Sequence, residues 1–277
     1  MAQSERTTIL WLELRETLRA RWFQLYLLGF VGLMGLFFVF GLAESQVMGF
    51  HGLGRVLLTF IQVTLVVLPI FVLVTTARTL VGDREAGVWE YMLSMPVGFR
   101  SYYLGRFGGR TIAMIMPLVA ALLGGATIGA LKGQSVPWTA VVYYAMIVVA
   151  LTVCFLGISM LISVTASSQE MAVGWAFAVW LLSEALVDAL LLGLLIRQRL
   201  PADLAVGAAM LNPIQAFRTA AVLLFDPELT LLGPIAYTLL DVMGRPGLLV
   251  WAISWPTAVG VLCAVVGLVV FARRDVV

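Results

Sequence analysis

Long apolar segments follow one another along almost the whole chain, separated by shorter stretches that hold most of its charges. A helix needs about 20 mostly apolar residues to cross a bilayer, whereas a transmembrane strand shows a shorter, alternating pattern. Six segments satisfy the helical criterion: Phe23–Leu42, Val56–Thr76, Thr111–Leu131, Trp138–Val164, Ala172–Leu195 and Leu248–Phe271. The pattern therefore predicts an all-α membrane protein with six transmembrane helices, forming a single transmembrane domain over residues 1–277.

Composition agrees with this interpretation, and the distribution of charge adds an orientation. Of the 277 residues, 62% are hydrophobic and only 12% are charged, whereas a soluble domain carries about 25% charged residues. If the six spans cross the membrane in turn, eleven of the 17 Lys and Arg residues lie on the same side of the membrane as the N-terminus, and six lie on the opposite side. Positive residues are enriched in cytoplasmic loops, so both termini are predicted to be cytoplasmic. The net charge of +2 gives no reason to expect a nucleic-acid partner.

Residues 5–22 predict an amphipathic helix ahead of the first span. Its apolar positions recur at spacings of three and four, which places them on one face; they are Trp11, Leu14, Leu18 and Trp22. The polar positions, which occupy much of the remaining surface, are Glu13, Arg15, Glu16 and Arg19. Such a helix lies in the membrane interface. It serves either as a simple anchor or as an elbow that contacts a cytoplasmic partner.

The loop from 77 to 110 joins spans two and three on the predicted cytoplasmic side. A charge cluster, Asp83-Arg84-Glu85, opens a short helical segment that Pro96 ends, since proline lacks a backbone donor and restricts the preceding residue. A second helix then leads through Arg106 towards span three. The pattern predicts a compact helical projection into the cytoplasm. Its alternative interpretation is a solvated charged loop.

The loop from 196 to 247 lies on the predicted outer side and carries little charge for its length. Apolar positions from Ile214 to Phe225 and from Leu229 to Leu240 predict two short helices, neither long enough to span. A loop of this length is usually functional or disordered, and its apolar composition argues against disorder. We expect the helices to enter the outer leaflet, to pack on the bundle or to dock an external protein.

The residue types in the chain exclude several kinds of active site. A phosphate-binding GxxxxGK[ST] loop needs a lysine, and the single lysine, Lys132, follows Leu131 at an outer span end. With one histidine, HExxH and His-rich metal motifs are also excluded. We therefore predict a non-catalytic subunit with no catalytic residue, metal site or bound cofactor of its own. ATP and Mg²⁺ would belong to a separate ATPase.

Two acids lie inside the fifth predicted span. Glu184 and Asp188 are four residues apart, so a regular helix places them on one face. Ionisable groups at membrane depth are costly and normally face a cavity or a partner. They are interpreted either as a polar lining or proton relay, or as groups that hydrogen-bond between helices or hydrate near the outer surface.

These features together resemble the ABC-2 type permeases. The resemblance rests on Asp83-Arg84-Glu85-Ala86-Gly87, on Ser94-Met95-Pro96, on Gly105-Arg106 and on the C-terminal Phe271-Ala272-Arg273-Arg274-Asp275. It implies the six-span exporter fold called type V, an elbow helix, and a coupling helix between spans two and three that binds a cytoplasmic ABC ATPase. The ATPase-coupling residues it implies are Asp83, Arg84, Glu85, Gly87, Trp89, Glu90, Tyr91 and Met92. The location it implies is the bacterial inner membrane.

A narrower resemblance concerns the outer loop. The segments Leu211-Asn212-Pro213, Phe217–Ala221 and Leu223–Pro227 are similar to ABC-2 permeases that serve nitrous-oxide reductase maturation. This similarity implies a homodimer with two ATPase subunits and a periplasmic accessory protein, acting in assembly of the reductase's copper–sulfide centre. Asn212, Arg218 and Asp226 are the candidate contacts with that accessory protein. Whether a substrate crosses or only motion is transmitted stays open.

Other functional classes remain possible from the sequence alone. An ABC-2 exporter for another substrate would share every feature above. An ion-coupled secondary transporter would use Glu184 and Asp188, although a clear pair of internal repeats with broken helices is not visible. A structural anchor for a periplasmic protein, and an intramembrane enzyme, are further alternatives. No convincing nucleophile–base set supports the enzyme.

Overall fold

A computed structural model describes residues 2–21, 23–25, 27–29, 32, 51–93, 98–131, 138–196, 202–225 and 235–273. These residues are almost entirely helical and contain no strand. The helices are α1 (Ala2–Arg19), α2 (His51–Ala77), α3 (Thr79–Glu85), α4 (Val88–Leu93), α5 (Phe99–Leu131), α6 (Trp138–Thr165), α7 (Gln169–Leu181), α8 (Val187–Ile196), α9 (Ala202–Met210), α10 (Pro213–Phe225) and α11 (Ile235–Arg273). A π-helical turn, Leu182–Leu186, joins α7 to α8.

Four of the described helices are long and apolar enough to cross a membrane: Ile61–Glu85, Phe99–Ile128, Trp138–Thr165 and Leu239–Arg273. They contain most of the predicted spans two, three, four and six. The predicted fifth span is helical from Gln169 to Ile196, but the π turn divides it. Most of the predicted first span lies outside the described residues. The total of six spans and the orientation of the termini therefore stay predictions.

The centre of the bundle is the crossing of α6 and α11, which pack together more extensively than any other pair of described helices. Gly157 of α6 and Gly260 of α11 meet there without side chains between them. A Cβ atom added to Gly157 would lie 1.8 Å from the carbonyl oxygen of Gly260. Without a hydrophobic driving force between helices in lipid, small residues that permit close backbone contact stabilise such crossings.

Helix α1 packs along α5, and the face that it buries there contains polar as well as apolar side chains. Its buried positions are Ile9, Glu13 and Thr17, whereas Trp11 is 68% exposed. Gly105 and Gly109 of α5 make this approach possible, because a Cβ on either would lie 2.7 Å from a side-chain atom of α1. The sequence placed Glu13 on the polar face; the structure turns it towards α5, where its charge has partners.

The region 196–247 contains more helix than the sequence predicted. Helix α10 occupies the position predicted for the first short helix, but α9 precedes it as an unpredicted element. We call α9 and α10 the hairpin; it packs on α8, α6, α2 and α11. Residues 226–234 lie outside the description, so the second predicted helix is seen only from Ile235, as the start of α11. Gly244, with φ of 65°, breaks the regular helix of α11.

Candidate functional site

Helices α3 and α4 form a compact connector, Thr79–Leu93, between the long helices α2 and α5. Gly87 separates them with φ of 69°, a left-handed conformation that glycine adopts without the steric cost of a Cβ atom. The amide of Gly87 donates to the Arg84 carbonyl at 3.1 Å, which closes the end of α3. The structure thus places the sequence-predicted coupling residues on two short helices joined by a glycine turn. Residues 94–97 lie outside the description.

Asp83 faces an ionic cluster at the start of α5. Its carboxylate accepts a hydrogen bond from the Tyr102 hydroxyl and pairs with Arg106 at 2.9 Å. Arg106 also pairs with Glu13 and, at 3.1 Å, with Glu16, both on α1. One guanidinium therefore joins the connector, α5 and the N-terminal helix. Since Arg106 has five donors in a planar fork, it can satisfy several carboxylates at once.

Arg110 continues this cluster one helical turn further along α5. It lies 3.2 Å from the Glu13 carboxylate and donates to the Thr17 hydroxyl. Its other terminal nitrogen donates to the Thr75 carbonyl at 2.8 Å and to the Thr79 hydroxyl at 2.6 Å. Arg110 thus fastens the junction between α2 and α3. Sequence analysis placed Glu13 on the polar face of the N-terminal helix and named Arg106 as part of the Gly105-Arg106 resemblance. It did not predict that both converge with Arg110, because this convergence depends on the α1–α5 packing.

Arg84 and Glu85 contact the corner where α6 ends and α7 begins. Arg84 donates to the carbonyls of Ala166 at 2.9 Å and Ser167 at 2.6 Å. The two oxygens of Glu85 accept from the Gln169 backbone at 3.0 Å and from its side-chain amide at 2.8 Å. A cation at a helix C-terminus and an anion at a helix N-terminus both match the helix dipoles. The Asp83-Arg84-Glu85 cluster is therefore bonded within the molecule.

The second connector helix carries the aromatic candidates. Trp89 packs edge-on against Phe271 near the end of α11, with ring centroids 5.1 Å apart. Tyr91 is 63% exposed, and the side chains of Glu90 and Met92 lie outside the description. Of the residues predicted to touch an ATPase, Tyr91 is thus the one whose side chain the structure places at the surface of α4.

At the other end of the bundle, Asn212 and Arg218 make contacts with the π turn. The Asn212 amide donates to the Ser183 carbonyl at 2.6 Å, while its oxygen accepts from the Ile214 backbone and caps α10. Arg218 pairs with Glu184 at 3.4 Å. Asn212 is 7% exposed, and Asp226 lies outside the described residues. Contact of these three residues with an accessory protein stays a prediction.

The shared face predicted for Glu184 and Asp188 stays a prediction, although a π turn lies at this point of the helix. The π turn Leu182–Leu186 contains Glu184 and ends two residues before Asp188. The Asp188 side chain lies outside the description. What the structure does bring together is Glu184 on the π turn and Arg218 on α10. A π turn leaves no distinct pattern of apolar residues, so it could not be predicted from the sequence.

Two tryptophans hold the corner of the hairpin. Trp251 donates to the Met210 carbonyl at 3.0 Å and Trp255 to the Leu211 carbonyl at 2.8 Å. Their rings stack with centroids 5.3 Å apart. Backbone groups at the end of a helix need partners, above all in an apolar environment. Sequence analysis missed both residues; their spacing of four in an apolar helix was the one available signal.

The long apolar helices indicate a membrane protein. The chain belongs to the ABC-2 family of transporter proteins, whose sequence model matches residues 7–276. Two curated relatives carry the name "Probable ABC transporter permease protein NosY". The Stutzerimonas stutzeri protein is 24% identical over 221 residues, which cover 74% of this chain and 77% of that protein. The Pseudomonas aeruginosa protein is 25% identical over 234 residues, covering 77% and 80% respectively.

Proposed function

We propose that this chain is the membrane-spanning permease subunit of an ABC transporter and that a separate cytoplasmic ATPase drives it. The connector Thr79–Leu93 carries the proposal, because it is a preorganised helical projection between two long apolar helices of an ABC-2 protein. The sequence contains no phosphate-binding loop. ATP and Mg²⁺ would therefore bind the ATPase, and this subunit would convert its closure into movement of the bundle.

Within the connector, we assign direct ATPase contact to α4 and internal bracing to α3. Tyr91 is exposed on α4, and Glu90 and Met92 flank it in sequence. Asp83, Arg84 and Glu85 instead hold α3 against α5, α6 and α7. Their contribution to coupling would be to keep the connector rigid when an ATPase pushes on it. Gly87 would set the angle between the two helices.

The assembly we propose is a homodimer of this chain in the bacterial inner membrane, with two ABC ATPase subunits and a NosD-like periplasmic accessory protein. The similarity to two proteins named NosY supports a role in maturation of the copper–sulfide centre of nitrous-oxide reductase. The contacts with the accessory protein would lie in the outer region that contains Asn212, Arg218 and Asp226. The two relatives are only 24% and 25% identical to this chain. The alternative is therefore that the chain is the permease of an ABC-2 exporter for another substrate.

The experiment is co-purification combined with site-directed photocrosslinking. The tagged chain is expressed together with its genomic neighbours, with a photocrosslinking residue in place of Tyr91. We expect a cytoplasmic ABC ATPase to co-purify and to form a crosslink from this position. A periplasmic protein recovered in the same complex, and its identity, tests the maturation role.

The matched control places the same photocrosslinking residue at Leu204 in the hairpin, where the side chain is 62% exposed, similar to Tyr91 at 63%. This position should give no ATPase crosslink, because the hairpin is predicted on the other side of the membrane. Purification of the chain without any ATPase, with its cellular activity intact, would refute the proposal. It would make an ion-coupled transporter using Glu184 the next hypothesis to test.

A further inference from the structure

The contacts of α3 suggest a route by which movement of the connector would cross the bundle. The connector follows α2 in sequence and leads into α5, so its covalent links point to those two helices. Two of its polar side chains, Arg84 and Glu85, however, bond to a third place, the corner Ala166–Gln169 between α6 and α7. This corner is more than 80 residues away in sequence, and it begins the helix that carries the π turn.

The corner is held by a network centred on Gln169. The Gln169 side-chain oxygen accepts from Arg78 at 3.2 and 3.1 Å, and its nitrogen donates to Glu85 at 2.8 Å. Gly82 leaves room for this side chain, since a Cβ there would lie 3.3 Å from the Gln169 amide nitrogen. Together with the Glu85–Gln169 backbone bond, these contacts connect both ends of α3 to the first turn of α7. The start of α7 must therefore follow α3 unless several bonds break together.

The middle of the same helical run is fastened to the hairpin. The π turn presents the Ser183 carbonyl to Asn212 and the Glu184 carboxylate to Arg218. The hairpin is in turn fixed to α11 through Trp251 and Trp255. A π turn is a rare irregularity that occurs frequently at functional sites. The run from Gln169 to Ile196 is therefore attached to the connector at its first turn and to the hairpin at its middle.

We propose that Glu85 and Gln169 are positioning residues that transmit movement of the connector into α7, and that the π turn delivers it to the hairpin. This rests on the proposed function, in which an ATPase moves the connector. In this proposal, movement of the connector passes through the helical run Gln169–Ile196 and not only through α2 and α5, to which the connector is covalently linked. Glu85 then acts through Gln169 and the α7 N-terminus, whereas direct contact with the ATPase belongs to α4.

The test is a charge exchange read at the hairpin. Hydrogen–deuterium exchange of peptides from 202–225 is compared between ADP and a vanadate-trapped state in the purified complex. We expect a nucleotide-dependent difference in the wild type, and its loss in Glu85→Ala and in Gln169→Glu, which places two carboxylates together. The exchanged pair, Glu85→Gln with Gln169→Glu, restores one carboxylate facing one amide and should recover the difference. Glu170→Gln is the matched control, because Glu170 is an exposed acid in the same first turn of α7.

Each outcome bears on the inference separately from the proposed function. If no ATPase co-purifies with the wild type, the proposed function fails. If the complex forms but the hairpin difference is absent in the wild type, or persists in Glu85→Ala and Gln169→Glu, the transmission route is wrong and the proposed function stands. If both single variants lose the difference and the exchanged pair does not recover it, the contact between Glu85 and Gln169 does not carry the movement and the transmission route is wrong. Should Gln169→Glu fail to fold, Glu85→Ala and the exchanged pair still decide between these results.

Discussion

Two close helix contacts in this protein use glycine for different purposes. At the α6–α11 crossing, Gly157 and Gly260 bring backbone against backbone. At the α1–α5 contact, Gly105 and Gly109 bring α1 close to α5, where Glu13 reaches Arg106 and Arg110. The first contact is purely steric, whereas the second combines close approach with buried ion pairs.

The difference teaches which part of the molecule can change its contacts. Backbone packing at the crossing has one arrangement, because no side chain there can adopt another rotamer to relieve a displacement. Arg106 faces three carboxylates and Arg110 contacts groups on α1, α2 and α3, so these arginines can exchange one acceptor for another. A rigid crossing with an adjustable ionic end fits a protein in which the connector moves relative to the bundle.

The largest expected effect comes from filling the crossing. In Gly157→Val, the new Cβ would meet the Gly260 carbonyl at 1.8 Å, and backbone on both sides cannot give way. Overpacking usually costs about 1–3 kcal/mol, and we expect at least the upper end here. Loss of the monodisperse peak in fluorescence-detected size-exclusion chromatography would measure it.

Gly174→Val provides the control for this prediction. Gly174 lies in the apolar helix α7 with nothing within 4 Å of its added Cβ, so the same substitution should leave the elution profile and the thermal midpoint unchanged. A Gly157→Val protein that elutes and melts like the wild type would show that the α6–α11 crossing is looser than the structure has it.

A smaller effect should follow from breaking the ion pairs between α1 and α5. Arg106→Met removes the shared partner of Asp83 and Glu13, and Glu13 is only 2% exposed. Removing one member of a buried pair costs about 3–5 kcal/mol, and we expect the lower end because Arg110 still pairs with Glu13. The measurement is the free energy of unfolding in mixed micelles.

The Glu13→Met/Arg106→Met double variant separates charge from packing. Because it removes the buried Glu13 carboxylate together with Arg106, we expect it to lose less stability than the sum of the two single losses. Arg100→Met, at an exposed position in the first turn of α5, is the control and should change stability little. Additive losses in the double variant would mean that Glu13 and Arg106 do not interact.

The α6–α11 crossing and the ionic α1–α5 contact could not be predicted from the sequence to the same extent. The apolar periodicity predicted spans two, three, four and six, because burial in lipid needs no knowledge of the partner helix. It could not distinguish Gly157 and Gly260 from the other glycines among the 26 in the chain. A glycine's importance depends on what lies opposite, which is a property of packing.

The candidate site shows the same limit. The order Asp83-Arg84-Glu85 predicted a charged helical projection, but its partners, Arg106, the Ala166 carbonyl and Gln169, come from three other parts of the chain. Glu13 was assigned to the polar face of α1 because a count of apolar positions treats every carboxylate as facing water. The burial of Glu13 is favourable only because the fold places Arg106 and Arg110 of α5 beside its carboxylate.

The smallest effect concerns Tyr103, which joins the two regions. Its hydroxyl donates from α5 to the Ala264 carbonyl of α11 at 2.9 Å. A net hydrogen bond contributes about 1 kcal/mol, and Tyr103→Phe should cost no more, because a carbonyl inside a helix retains its own amide partner. Gly267→Ala alone should cost more, since its Cβ would lie 2.6 Å from this hydroxyl and 3.4 Å from the Leu161 backbone. Removing the hydroxyl relieves the shorter contact, so the double variant should be more stable than Gly267→Ala alone. Thermal midpoints in detergent test this order, and a double variant less stable than either single one would place the two helices differently from the structure.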